Sequence, residues 1–92
     1  MSQDEAERIA LLALGWMAED PERIGAFLGA SGLAPGDVAQ AAGDPGFLVA
    51  VLTFLTMEDE SVIAFAAAHD LPPEAPLMAL RALPGGEETH WT

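Results

Sequence analysis

The chain has 92 residues, with 15 acidic residues, three arginines and neither lysine nor cysteine, so its formal net charge is −12. This charge excludes binding to nucleic acid and disfavours an anionic membrane surface, because both partners attract clustered cations and the three arginines are scattered. The absence of cysteine excludes disulfides and thiolate metal sites, and it fits the cytoplasm.

The length predicts one small domain, which can bury about two-thirds of the surface that the unfolded chain exposes. We interpret the acidity as a means of keeping a chain that is 51% hydrophobic dispersed in water, with a basic partner as the alternative. The first residues, "MSQDEAER", are acidic and do not resemble a signal peptide. Strongly apolar runs reach about ten residues, half of a membrane span. We therefore expect a soluble cytoplasmic protein.

Ser2 and Glu5 have the spacing of a capping box, which predicts a first helix over Gln3–Ala18. Its apolar residues follow the i, i+3, i+4, i+7 spacing of an amphipathic helix. These are Ile9, Leu12, Ala13, Trp16 and Met17. Four further apolar residues widen the stripe, so we expect this helix to be covered on several sides. They are Ala6, Ala10, Leu11 and Leu14.

Asp20 is a favourable N-cap and Pro21 a favourable first residue for a second helix over Pro21–Ser31. Its predicted buried stripe consists of Ile24, Phe27 and Leu28, and Gly32 is predicted as its left-handed stop. "APGDVAQAAG" then predicts a third short helix that starts near its proline and ends at its second glycine. Its weak apolar face consists of Val38, Ala41 and Ala42.

Asp44 repeats the capping pattern and predicts a fourth helix over Pro45–Thr56, which carries the apolar run "FLVAVLTFLT". The acids of "EDE" at 58–60 then open a fifth helix, where the positive end of the helix dipole favours them. Its predicted core side consists of Val62, Ile63, Phe65 and Ala66. His69 is predicted in its last turn.

"DLPPEAP" interrupts the chain and predicts a sixth helix whose leucines at 77, 80 and 83 point inward. If Pro73 were its first residue, Pro76 would lie where hydrogen bonding should begin, so we expect this helix to start late. No segment alternates with period two. The sequence therefore predicts an all-α fold, a compact bundle of five or six short helices over residues 1–84, followed by a disordered acidic tail over 85–92.

The chain also matches itself, without a gap, when it is shifted by 38 residues. Residues 9–42 and 47–80 then share eight identities over 34 positions, among them Phe27 with Phe65 and Pro35 with Pro73. Alanine-rich helices produce chance matches, so a duplication and coincidence both remain open. As a hypothesis, two three-helix units pack helices one and four together about an approximate twofold axis.

"ALGW", Ala13 to Trp16, is followed by "DPER" and later by "DPGFL". In these motifs the chain resembles a family of short, uncharacterised bacterial proteins, known as a domain of unknown function, with an Ala-Leu-Gly-Trp/Phe motif. The resemblance covers nearly the whole chain, although Pro76 replaces an expected aliphatic residue. It implies no activity and no site residues. Genes of the family sometimes lie near those of response-regulator receiver domains, which implies a weak association and shows no contact.

No motif predicts a catalytic residue, a cofactor or a metal site. Ser31, Ser61 and His69 define no catalytic triad without geometry, and His69 is most simply a helix C-terminal residue near carbonyl groups. The carboxylates of "AEDPE" and "MEDE" lack the spacing of a calcium loop, so we interpret them as helix starts.

Trp16 falls on the apolar stripe of its helix and is predicted to lie in the core. Trp91 lies in the polar segment "EETHWT" and is either a partner contact or a residue without a role. We predict a small, acidic, non-catalytic protein-interaction or regulatory domain that binds a protein partner or a second copy. The alternatives are an enzyme or enzyme subunit that uses carboxylates in a helical cleft, and a structural stabiliser of a larger complex.

Overall fold

The computed structural model describes residues 1–86 and contains no strand within them. Six α-helices follow one another in the order α1 Gln3–Ala18, α2 Pro21–Ser31, α3 Val38–Ala41, α4 Pro45–Thr56, α5 Asp59–Ala68 and α6 Ala75–Ala82. A 3-10 turn, Pro35–Asp37, precedes α3. The predicted all-α bundle is confirmed. The predicted third helix is half 3-10 turn and half α-helix.

Three helices begin at side-chain caps that the sequence predicts. In each, an oxygen of the residue before the helix accepts a hydrogen bond from a backbone N–H two or three residues further on. The pairs are Ser2 with Glu5 at 3.1 Å, Asp20 with Glu22 at 2.9 Å, and Asp44 with Gly46 at 3.0 Å. α2 ends at Gly32 in the left-handed conformation, with φ of 76°. These local signals are why the limits of α1, α2 and α4 agree with their predicted limits.

The core lies between α1, α4 and α6, each of which packs against the other two. α1 presents alanines here, since Ala6, Ala10 and Ala13 are all fully buried. Small side chains let neighbouring helices approach closely, and larger side chains of α4, such as Leu52, fill the space between them. The predicted contact between helices one and four is confirmed, and α6 joins it.

Aromatic rings attach the outer helices to this core. Phe27 of α2 makes edge-to-face contacts with Phe47 and Phe54 of α4, at centroid distances of 5.7 and 5.5 Å. Trp16 of α1 contacts Phe65 of α5 in the same way, at 5.9 Å. Such contacts add to the free energy gained by burying the rings themselves. Trp16 is therefore a core residue, as its position on the apolar stripe predicts.

The apolar run of α4 forms the centre of the bundle, where Phe47, Val51 and Leu55 are buried. Within residues 1–86, no single helix is both long and apolar enough to cross a membrane. The segments Pro35–Ala41 and Pro45–Thr56 reach that length and composition only together, and the chain bends by 117° between them.

Two predictions of inward-facing residues are wrong. Leu77 is 41% exposed. The inward side of α6 consists of Pro76 and the residues three and four positions later, Ala79 and Leu80. Leu77 lies about 100° around the helix from Pro76 and so points away from the core. Ile63 is 59% exposed, because α5 turns its side with Phe65 toward the core. The predicted late start of α6 agrees with its first residue at position 75, where the missing N–H of Pro76 costs no intrahelical hydrogen bond.

The 38-residue shift aligns one limit of each of the first two helices in the two halves. It places the last residue of α1, Ala18, on Thr56 of α4, and the first residue of α2, Pro21, on Asp59 of α5. The third elements differ, because α3 contains no buried residue and α6 contains four. The duplication stays a prediction, and superposing residues 9–42 on 47–80 tests it.

The chain remains folded beyond α6. Leu83 is fully buried, and the backbone N–H of Gly86 donates a hydrogen bond to the Leu83 carbonyl at 3.0 Å. The fold therefore includes Gly86, which the sequence assigned to the tail, and the disorder of that tail stays a prediction. A Cβ atom at Gly86 would collide with the backbone carbonyl of Leu80. Residues 87–92, which include Trp91, lie outside the described part of the chain.

Replacing Gly86 by alanine is expected to lower the free energy of unfolding by about 1–3 kcal/mol, because the backbone must move to admit the methyl group. Gly36→Ala is the matched control, since an added Cβ there meets no atom within 4 Å. Thermal unfolding followed by circular dichroism measures both, and each kcal/mol corresponds to roughly 4–8 °C in a domain of this size. Equal melting temperatures for the two variants would contradict the close packing at Gly86.

Replacing Asp44 by alanine removes the cap of α4 and is expected to lower the free energy of unfolding by about 1 kcal/mol. Asp37 precedes α3 without accepting a capping hydrogen bond, so Asp37→Ala is expected to change stability by less than about 0.5 kcal/mol. Urea denaturation of the two variants measures the difference. A larger loss for Asp37→Ala would show that the cap at Asp44 is not what stabilises the start of α4.

Candidate functional site

An apolar groove with a volume of about 500 Å³ lies between α1, α2 and the start of the third element. We call it the α1–α2 groove. α1 contributes four residues at i, i+3, i+4 and i+7 spacing, which form one stripe along the helix. α2 contributes two residues one turn apart, and the segment 35–38 closes the end. The lining residues are Leu11, Leu14, Gly15, Ala18, Ile24, Leu28, Pro35 and Val38.

The groove is open to solvent along α1. Leu11 is 45% exposed, and Gly15 and Ala18 are also exposed. A Cβ atom added at Gly15 would meet nothing within 4 Å, so the surface is depressed at this point. Leu11 and Leu14 are the larger residues that border this depression. The expectation that α1 is covered on several sides is confirmed, since α1 packs against α2, α4 and α6, and Leu11 is the exposed exception among the four residues that widen its stripe.

The groove exists because the third element of the first half is short. Each residue that lies 38 positions after a lining residue is buried to a similar or greater extent than that lining residue. Leu28 and Val38 are half-buried, for example, whereas Ala66 and Pro76 are buried. In the second half, α6 has eight residues and packs against both α4 and α5. α3 has four residues, none of them buried, and Leu11, Gly15 and Ala18 of α1 remain exposed beside it.

Most charged residues near the groove along the chain are acidic. Helical spacing places Asp4 and Glu7 on the same side of α1 as Leu11, which follows them by seven and four residues, and Asp37 is adjacent to Val38 at the closed end. Arg8 precedes Leu11 by three residues and adds one cation to this side. Asp20 precedes Ile24 by four residues, but its carboxylate caps α2 and lies 3.6 Å from Arg23 Nε. The lining itself is apolar, and more acids than cations lie near it.

A second concavity, of about 260 Å³, lies beside Trp16. The Arg23 guanidinium stacks over the Trp16 ring at 3.9 Å from its centroid and donates a hydrogen bond to the Trp16 carbonyl at 3.5 Å. Its Nε also lies 3.6 Å from a carboxylate oxygen of Asp20. Arg23 is thus held by groups of its own chain. Glu22 and Glu58 in the lining are exposed, so they do not form a buried carboxylate pair.

A third concavity, of about 280 Å³, is apolar and lies between α2 and α4. Thr53 lines it, and its Oγ1 atom is buried without a hydrogen-bond partner. Met57, at its edge, is 74% exposed. A buried hydroxyl without a partner reduces stability, and this one lies in a helix whose neighbours are otherwise apolar.

The structure does not bring the polar candidates of the sequence together. Ser61 lines the second concavity and Ser31 the third, whereas His69 lines none of the three. The His69 ring lies against Phe65 at a centroid distance of 5.0 Å, and its backbone N–H donates to the Phe65 carbonyl. Among residues 1–86, no group of three or more histidine, aspartate or glutamate side chains could hold a metal ion. The proposed partner contact, Trp91, lies outside this range.

Sequence analysis did not predict the α1–α2 groove as a site. It assigned Ile24 and Leu28 to a buried stripe, and both are only half-buried. One feature of the sequence could have indicated the groove. Gly15 and Ala18 fall on the same side of α1 as Leu11, so small residues lie beside a large apolar one. Periodicity alone does not show whether another helix covers such a stripe.

Comparison with known proteins identifies the family. A family model described as "Protein of unknown function (DUF3572)" matches residues 3–86. The chain belongs to this family. No curated protein and no solved structure is matched by the chain. The resemblance to an uncharacterised family is thus confirmed, and the role of the motif Ala13 to Trp16 as its signature stays a prediction. No activity is attached to the DUF3572 family, so the function of this protein must be inferred from its own surface.

Replacing Gly15 by alanine is expected to raise the free energy of unfolding by about 0.5–1 kcal/mol, because the site is helical and has room for the methyl group. Gly32→Ala is the opposite control, since Gly32 has φ of 76° and an alanine there is strained. Urea denaturation midpoints measure both changes. A loss of stability in Gly15→Ala would contradict the open surface described at this position.

Proposed function

We propose that this DUF3572 protein is a small, non-catalytic interaction or regulatory domain that binds a protein partner in the cytoplasm. The observation that carries the proposal is the α1–α2 groove, where Leu11, Gly15 and Ala18 leave an apolar stripe of α1 exposed. A stripe of this spacing is normally buried in a small domain, and an exposed apolar surface with a polar rim is typical of an interaction site.

The remainder of the surface supports the same proposal. A net charge of −12 on 92 residues attracts a partner with a basic surface and speeds its association. The acids near the second concavity, Glu22 and Glu58, are exposed to solvent. Burial in an apolar cleft is the usual way to prepare a carboxylate for acid–base catalysis, so these groups do not favour the enzyme alternative.

Affinity capture of the protein from a lysate of its own host, at low and high salt, tests the proposal. We expect a specific protein to be retained and its recovery to fall as salt screens the charges. Sedimentation of the purified protein in the same two buffers is the companion measurement, because it detects self-association. A strict monomer that retains no protein at either salt concentration would overturn the proposed function.

A further inference from the structure

We propose that the α1–α2 groove binds a basic amphipathic helix of a partner protein. This inference rests on the proposed function and specifies the partner's chemistry. The apolar stripe from Leu11 to Ala18 extends about 10 Å along α1, the length of two turns of a second helix. The groove volume of about 500 Å³ lies within the range of sites that enclose apolar side chains.

The shape of the groove fits a helix. Gly15 and Ala18 have little or no side chain, and Leu11 and Leu14 border them on the same stripe. Aliphatic residues of a partner helix, repeated at i, i+3, i+4 and i+7, can enter such a depression while its backbone stays outside.

The charges around the groove define the flanks of that helix. Asp4 and Glu7 precede Leu11 on the same side of α1, and Asp37 lies at the closed end, whereas Arg8 adds one cation to this side. Lysine or arginine residues on both sides of an aliphatic stripe would place their cations near these carboxylates and their methylene groups over the apolar rim. An acidic or neutral helix would lack this attraction.

A second copy of the chain is the less suitable occupant. Each copy carries a net charge of −12, so a dimer opposes two acidic surfaces at a cost in free energy. The chain contains no lysine and three arginines, of which Arg23 is engaged by Trp16 and Asp20 and the other two, Arg8 and Arg81, are exposed. A second copy would therefore bring two exposed cations together with 15 acids, which makes it a poor match for an acidic surface.

Fluorescence anisotropy with a synthetic peptide of leucine and lysine tests the inference, at an ionic strength of about 0.15 M. The probe has leucines at helical spacing, and a control peptide of the same composition alternates leucine and lysine with period two. We expect the helical probe to bind roughly tenfold more tightly than the control peptide. Equal affinity for the two peptides would show attraction by charge alone and would overturn the inference.

Leu11→Glu separates groove binding from attraction by charge. It adds an acid, so simple electrostatics predicts tighter binding of a basic peptide, whereas loss of the apolar contact predicts binding weaker by roughly tenfold. Leu77→Glu is the matched control, because Leu77 is exposed to a similar extent, 41% against 45%, and lies on α6 outside the groove. We expect Leu77→Glu to leave the affinity unchanged or slightly raised. Unchanged or tighter binding in Leu11→Glu would overturn the inference.

Gly15→Trp provides a second variant that changes no charge. The indole fills the depression, so we expect the affinity for the helical probe to fall roughly tenfold. Ala67→Trp, at an exposed position of α5, is the control and should bind as the unmodified protein does.

Amide chemical shifts of the unmodified protein locate the peptide independently of any variant, and we expect the changes to concentrate on α1 and α2. Changes confined to α5 and α6 would contradict the site.

The remaining outcomes distinguish the inference from the proposed function. A dimer that Gly15→Trp dissociates would identify a second copy as the occupant and overturn the basic helix. Suppose that capture from lysate retains a partner whose recovery falls with Leu77→Glu and stays the same with Leu11→Glu. In that case the protein is an interaction domain, but it binds through a surface other than the α1–α2 groove. If neither capture nor sedimentation detects any association, the proposed function fails together with the inference.

Discussion

The close packing of α1 against α4 and α6 is the interaction on which the rest of the structure depends. Ala6, Ala10 and Ala13 on α1 are fully buried, as is Ala79 on α6, so small side chains form much of the contact between these helices. Bulk comes from α4, whose leucines and valine complete the core. Because one side of α1 is used in this contact, its opposite side can be covered only by α2 and the segment that follows α2.

That segment is too short for the task. The chain from 33 to 44 contains one 3-10 turn and one turn of α-helix, and neither has a buried residue. The corresponding part of the second half folds into α6 and completes the core. Two halves with related helix limits therefore have different roles: the second closes the hydrophobic core, and the first leaves an apolar stripe exposed beside Gly15.

The charge of the protein acts on the same surface. An exposed apolar groove promotes self-association, and a net charge of −12 opposes it, because two copies repel each other before their grooves can meet. The same charge favours a partner of opposite sign. In the proposed function the acidity serves solubility and also attracts the partner, so the two interpretations of the composition are compatible. The carboxylates do not have to converge on one point for this role, and within residues 1–86 they form no cluster suited to a metal ion.

The sequence by itself determined where α1, α2 and α4 begin and end. The caps at Ser2, Asp20 and Asp44 and the left-handed stop at Gly32 act through hydrogen bonds and backbone angles within a few residues, so they are visible in the primary structure. It did not determine the candidate site, and its one proposed contact, Trp91, lies outside the described residues. Only the tertiary structure decided that Ile63 and Leu77 face solvent and that Leu11 borders an open groove. The physical reason is that an apolar stripe has the same period whether or not a helix covers it, and the covering helix comes from a distant part of the chain.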